Sequence, residues 1–204
     1  LPFVLLLVTS FVRIAVVLSI LKGAIGTPQI PPNQVITGLA MLLTLYVMAP
    51  TGERMYRAIE PLLERGGGSL ASAQSIAVME QAAQRAKEPL REFLLKHSNP
   101  RDRALFFNLS LRMRAPAERV GITDRDMLII VPAFLTSELR RAFEIGFLLF
   151  VPFLVVDMVI ANILLALGMH MLSPTTVSLP FKLLLFVLAD GWQLILRGLV
   201  ESYV

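Results

Sequence analysis

Uncharged runs dominate both ends of the chain and thin out in its middle. They cover residues 1–12, 14–21, 23–52, 127–137, 145–156, 158–181 and 183–189. A helix that crosses the hydrocarbon of a bilayer needs about 20 mainly apolar residues, and of these runs only 23–52 and 158–181 are long enough. Both contain breakers: Gly26, Pro28, Pro31 and Pro32 in the first, Gly168, Pro174 and Pro180 in the second. Proline lacks the amide donor and clashes with the preceding turn, so each cluster is expected to end or kink a helix. Carbonyls freed in this way need internal partners where no water reaches them.

The pattern predicts helices throughout. A first helix over Pro2–Lys22 contains Arg13; after a Gly/Pro turn, Asn33 caps a second that closes near Met48, before Pro50. In the polar middle, Ser72–Glu88 is amphipathic and alanine-rich, and Pro89 opens a short helix ending near Lys96 and His97. Asn99-Pro100 pairs a cap residue with proline at the first helical position. Thr123-Asp124-Arg125-Asp126 has the spacing of a capping box. It launches a helix from Asp124 to Phe150, with a kink expected at Pro132 and with Glu138, Arg140, Arg141 and Glu144 in its middle. After Pro152 an apolar helix carries Asp157 to Gly168, the chain turns at Ser173-Pro174, and a final helix follows Pro180. This is a helical hairpin with arms of about 14 and about 24 residues at about 1.5 Å per residue, the first marginal for crossing a bilayer. Gly66-Gly67-Gly68-Ser69 is the one linker-like tract, and no internal repeat is visible. The expected class is all-α: an N-terminal apolar helical hairpin over 1–52, a polar helical insert over 53–126, and C-terminal apolar helices over 127–204.

Composition sharpens this. The 204 residues are 55% hydrophobic and 17% charged, with a mean hydropathy of +0.69, which does not suit a water-soluble globule. The insert holds 23 of the 34 charges, 13 basic and 10 acidic. That mixing argues against nucleic-acid binding despite a net charge of +4. With no cysteine there is no disulfide framework, thiol nucleophile or thiolate metal site. The chain opens at Leu1 without an initiator methionine or a basic n-region, so a signal peptide or first segment is expected to lie outside it. The insert exceeds 60 residues, and loops longer than about 60 residues translocate largely regardless of their Lys/Arg content, so charge does not set the topology.

Among the 11 charges outside the insert, Arg13, Asp157, Lys182 and Asp190 sit inside apolar runs. Each needs a partner or water, because an unpaired charge at membrane depth costs at least about 2.5 kcal/mol. They serve either as ion pairs and hydrogen bonds in a packed assembly or as an ion or proton relay, and a relay would place more carboxylate or histidine neighbours on one helix face. Asp157 and Lys182, on the two hairpin arms, are the expected pair. Counted from a turn near Pro174 they lie at different heights, so the pairing is read as within one subunit or between two.

The hairpin turn carries Met169, His170 and Met171. Three readings stand: adaptable filler at a tip, a Met/His metal site that would need ligands from other chains, or a ring of flexible thioethers closing a pore in a symmetric oligomer. No catalytic constellation emerges. His97 has no nucleophile beside it, and no phosphate loop or HExxH motif is present.

Particular segments resemble a known family. They are Leu1–Arg13, Pro31-Pro-Asn-Gln34, Gly38-Leu-Ala40 and Tyr46-Val-Met-Ala-Pro50, then Val131-Pro-Ala-Phe134, Ser137-Glu-Leu139, Phe143-Glu-Ile-Gly146, Pro152-Phe-Leu154, Asp157, Ser178-Leu-Pro-Phe-Lys182 and Asp190-Gly-Trp192. Together they resemble the export-gate membrane proteins of type III secretion systems, the flagellar FliP and injectisome SctR family. Ser173–Thr176 and Phe93–Ser98 resemble the injectisome branch more than the flagellar one. The resemblance implies a homo-pentamer with two smaller export-apparatus membrane proteins (S- and T-type, or the flagellar Q and R counterparts) and the U-type switch protein. Such an assembly passes unfolded secreted proteins across the bacterial inner membrane, with the insert on the periplasmic side, some hairpins packed in the assembly rather than in lipid, and no cofactor. The resemblance also places a methionine gasket on Met169, His170 and Met171, and an important charged pair on Asp157 and Lys182. Many relatives carry three methionines where this chain has a central histidine. Histidine titrates near neutral pH, so closure is expected to be mildly pH-sensitive. The competing readings are an ion or small-solute transporter using Asp157, Lys182 and Asp190, and a membrane-embedded enzyme depending on His97.

Overall fold

A computed structural model describes residues 6–27, 31–65, 73–119 and 121–204. The expected linker at Gly66–Ser69 and the expected helix start at Pro2 lie outside the described residues. Among those described there are seven α-helices, one 3-10 turn at Pro116–Arg119 and no strand, so the all-α expectation holds.

The first helix, α1 (Phe11–Ile25), buries Ile14, Val17, Leu18, Leu21, Ala24 and Ile25, the three-and-four spacing of one helical face. A turn precedes it, in which the Thr9 hydroxyl donates to Leu6 O at 2.9 Å, the local bonding by which threonine competes with helix. Gly26 ends α1 at φ 87°, a left-handed conformation that glycine adopts without a Cβ clash.

Next comes α2 (Asn33–Arg65), which does not close before Pro50 but runs through Pro50 and Pro61. A proline inside a helix costs one backbone bond and a local clash, about 3 kcal/mol, whereas ending the helix orphans four carbonyls. The expected Asn33 cap is also absent: the Pro32 carbonyl accepts the first amides, from Val35 at 3.0 Å and Ile36 at 3.3 Å, and Asn33 Oδ1 accepts from Lys22 Nζ at 2.7 Å.

The same economy merges Ser72–Glu88 and the short helix expected after Pro89. They form a single α3 (Ala73–His97) with Pro89 inside. The Asn99 cap does form. Its side chain accepts from Arg101 N at 2.9 Å, and α4 (Pro100–Met113) follows with proline at its start.

At Thr123–Asp126 the carboxylate of Asp126 accepts from Thr123 N and Oγ1, both at 3.1 Å. This closes a turn, and the Asp126 carbonyl receives the first amides of α5 (Met127–Ala166). That helix starts later than the expected Asp124 and passes Phe150 and Pro152 without stopping. At about 1.5 Å per residue its 40 residues reach about 60 Å, twice a hydrocarbon core of about 30 Å. Beyond the turn lie α6 (Pro174–Leu188) and α7 (Gly191–Glu201), bent by 62° relative to each other. The single helix expected after Pro180 therefore starts at Pro174, with Pro180 internal, and is broken at Ala189-Asp190 into two.

The chain divides into two compact units, one from Tyr46–Glu138 with residues up to Thr9, the other from Ser10–Leu45 with Leu139–Val204. The first has Phe93, Leu94, Ile129, Ile130, Ala133 and Phe134 at its core, with the Phe93 and Phe134 rings 5.9 Å apart. The second packs α1 with Ala142, Phe153, Phe186, Ile195, Leu199 and Tyr203. Among the described residues, Asn33–Leu62 and Met127–Ala166 are long and apolar enough to cross a membrane, and α6 with α7 makes a third candidate if the bent pair counts as one. The uncharged run 158–181 is no single segment: it is shared between the end of α5, the turn and the start of α6.

Candidate functional site

The tip of the α5–α6 hairpin is built by its own backbone. Gly168, at φ 72°, donates to Leu165 O at 3.0 Å while Met169 N donates to Leu164 O at 2.9 Å. This double closure, with glycine in the left-handed position, is a Schellman stop. Ser173 then precedes Pro174 at the start of α6, and its hydroxyl lies 2.8 Å from Thr175 Oγ1. Between these anchors Met169, His170 and Met171 all face outward, Met171 at 98% exposure. Among the described residues nothing covers that side chain.

Below the tip the two arms are fastened by an ion pair. Lys182 Nζ lies 2.6 Å from Asp157 Oδ2 and 3.3 Å from Ala24 O, and Ser178 Oγ donates to Asp157 Oδ1. Lys182 is buried; Asp157 keeps about a quarter of its side-chain surface open. Ala24 lies in the last turn of α1, whose carbonyls attract cations, so one ammonium joins α1, α5 and α6. The mismatch in height disappears once the arms are measured from their true ends. From Asp157 to Ala166 is nine residues and from Pro174 to Lys182 eight, about 13 Å and about 12 Å. The pairing forms within one subunit.

Arg13 and Asp190 lie elsewhere. Arg13, 1% exposed, donates to Ser202 O at 3.2 Å and to Ser202 Oγ at 2.9 Å, and stacks 3.9 Å above the Tyr203 ring, a cation–π contact. The Tyr203 hydroxyl reaches Ser10 O at 3.3 Å. The start of α1 is thereby tied to the end of α7. Asp190 is exposed, occupies a left-handed conformation at φ 49°, and separates α6 from α7 without capping α7 through its side chain.

Several partners escaped the sequence reading. Ser178 stands four residues before Lys182, on the same face of a helix, and could have been found; Ser202 and Tyr203, some 190 positions from Arg13, gave no local signal. A second buried network joins Asn99 N to Ser137 Oγ and Ser137 Oγ to Asp102 Oδ2, each at 2.8 Å. His97 is buried with its ring 4.6 Å from that of Phe93, and Glu138 is fully buried. Among the described residues no group of three or more His, Cys, Asp or Glu is placed to hold a metal ion.

Comparison with known proteins supplies what geometry does not. Residues 1–199 match the FliP family. The chain is 44% identical over 204 residues to the hypersensitivity response secretion protein HrcR of Ralstonia nicotianae, covering all of this chain and 91% of that protein. It is 47% identical over 203 residues to the flagellar biosynthetic protein FliP of Pectobacterium carotovorum, covering 100% and 74%. It is also 47% identical over 204 residues to the Yop proteins translocation protein R of Yersinia pestis, covering 100% and 90%. Flagellar and secretion relatives are thus similar to the same degree, and identity does not favour the injectisome branch suggested by Ser173–Thr176. The chain belongs to the FliP family.

Proposed function

We propose that this chain is a core gate subunit of a type III protein-export apparatus, which passes unfolded proteins across the bacterial inner membrane. Its relatives are named as secretion, translocation and flagellar biosynthetic proteins, and its long apolar helices suit a membrane protein. The solute-transporter reading draws no support from those relatives. The subunit forms the pore wall and does no chemistry; the energy comes from elsewhere.

The observation that carries the gate reading is the hairpin tip. Met169, His170 and Met171 are exposed on a turn whose arms are fastened by Asp157 and Lys182. An exposed thioether held on a stiff support is suited to meet its copies around a symmetry axis, because methionine repacks against varied shapes. In this reading five copies join two smaller membrane proteins and the U-type switch protein, residues 53–126 project to the periplasmic side, and Met169, His170 and Met171 close the conduit at rest. Native mass spectrometry of the purified complex tests the assembly. A pentamer retaining small hydrophobic subunits is expected; a monomer or dimer showing saturable solute uptake would replace the gate with a transporter.

A further inference from the structure

Across the bend at Asp190 the exposed surface changes character. On α6 the exposed large side chains are Phe181, Leu183, Leu184, Leu185, Val187 and Leu188; its one charge, Lys182, is buried against Asp157 and Ala24 O. On α7 the buried positions are Gly191, Ile195 and Leu199. Opposite them run Asp190, Gln193, Arg197 and Glu201, all exposed. At 100° per residue Gln193, Arg197 and Glu201 fall within an arc of about 80°, and Asp190 stands just before the helix. Arg197 Nε lies 2.6 Å from Glu201 Oε1, so the stripe carries both signs and partly neutralises itself.

Neither α6, about 22 Å long, nor α7, about 16 Å, is long enough to cross a hydrocarbon core of about 30 Å alone; the bent pair together is. A charged stripe on such a pair cannot face lipid and turns toward a water-filled space. Asp190 precedes the helical part of the stripe in a left-handed conformation, which aspartate tolerates at a chain turn.

The geometry points to the Asp190–Gln193–Arg197–Glu201 stripe as a water-lined wall of the export conduit, touched by the extended polypeptide in transit. This rests on the export-gate reading. The self-neutralised stripe, with Leu194 exposed beside it, holds neither cationic nor anionic segments tightly, as passage of unrelated sequences requires.

The absence of cysteine from these 204 residues makes the test clean. Gln193→Cys and Arg197→Cys on the stripe, and Leu188→Cys on the apolar side of α6, are introduced singly into the protein in its native apparatus. Membranes are treated with a charged, impermeant maleimide, with and without an export substrate fused to a domain that stalls its passage. The stripe thiols are expected to be labelled, the Leu188→Cys thiol not, and the stripe labelling to be lost while the substrate is stalled. Labelling that persists beside a stalled substrate assigns the stripe to bulk water and overturns the inference. So does stripe labelling no greater than at Leu188→Cys, which assigns it to lipid or protein. If export proceeds without this chain, the gate reading itself falls, an outcome separate from either.

Discussion

Lys182 sits where three helices meet, and its neighbours explain why a charge is tolerated there. The carboxylate of Asp157 and the carbonyl of Ala24 take two of its three donors, and Ser178 takes the far oxygen of Asp157. Removing one partner of such a pair leaves an uncompensated buried charge, at a cost of about 3–5 kcal/mol, whereas replacing both by apolar groups of similar volume is often neutral. Asp157→Leu and Lys182→Met are each expected to destabilise by about that amount, and the double substitution by much less. Thermal unfolding of the purified protein decides: a double variant as unstable as the sum of the singles would contradict the pairing. Arg13 follows the same logic in a different chemistry, because its planar guanidinium both donates to Ser202 and stacks on Tyr203. Arg13→Lys is expected to loosen the end of α7, seen as faster limited proteolysis from the C-terminus. Unchanged proteolysis would reduce the clasp to a passive contact.

At the scale of elements, the bend between α6 and α7 depends on a missing side chain. A Cβ on Gly191 would stand 2.3 Å from two carbons of the Phe186 ring, and that ring is hemmed by Trp192 at 5.4 Å and Phe153 at 6.4 Å between centroids. Overpacking of this kind costs about 1–3 kcal/mol. Gly191→Ala is expected to lower the melting temperature, with partial recovery when Phe186→Leu is added; no change on Gly191→Ala would mean the ring yields freely. Which elements were legible in the sequence follows from how local their causes are. The Asn99-Pro100 cap was readable because its determinants lie within three residues. Prolines at 50, 89, 152 and 180 misled because a proline's cost is visible in the sequence while the larger cost of ending a helix is not. The hairpin was expected, but the height of Asp157 against Lys182 needed the true ends at Ala166 and Pro174. The clasp between Arg13 and Tyr203 is a fact of tertiary packing that no spacing encodes.

For the whole molecule, the question is what covers its apolar surface. From Phe143 to Leu165, α5 exposes Phe147, Leu148, Leu154, Val155, Met158 and other large apolar side chains, far more than an isolated subunit in water would leave open. Lipid and sister subunits share that surface in the proposed assembly, and the buried charges fix the register at which its helices pack. In the proposed assembly the exposed tip at Met169, His170 and Met171 is the seal. The most direct test of the account is the resting ion conductance of membranes holding the assembled apparatus, with Met169→Ala and Met171→Ala combined in this chain. Closure by the hairpin tip predicts a raised leak in a complex that still assembles as a pentamer. An intact pentamer with parental leak would contradict it.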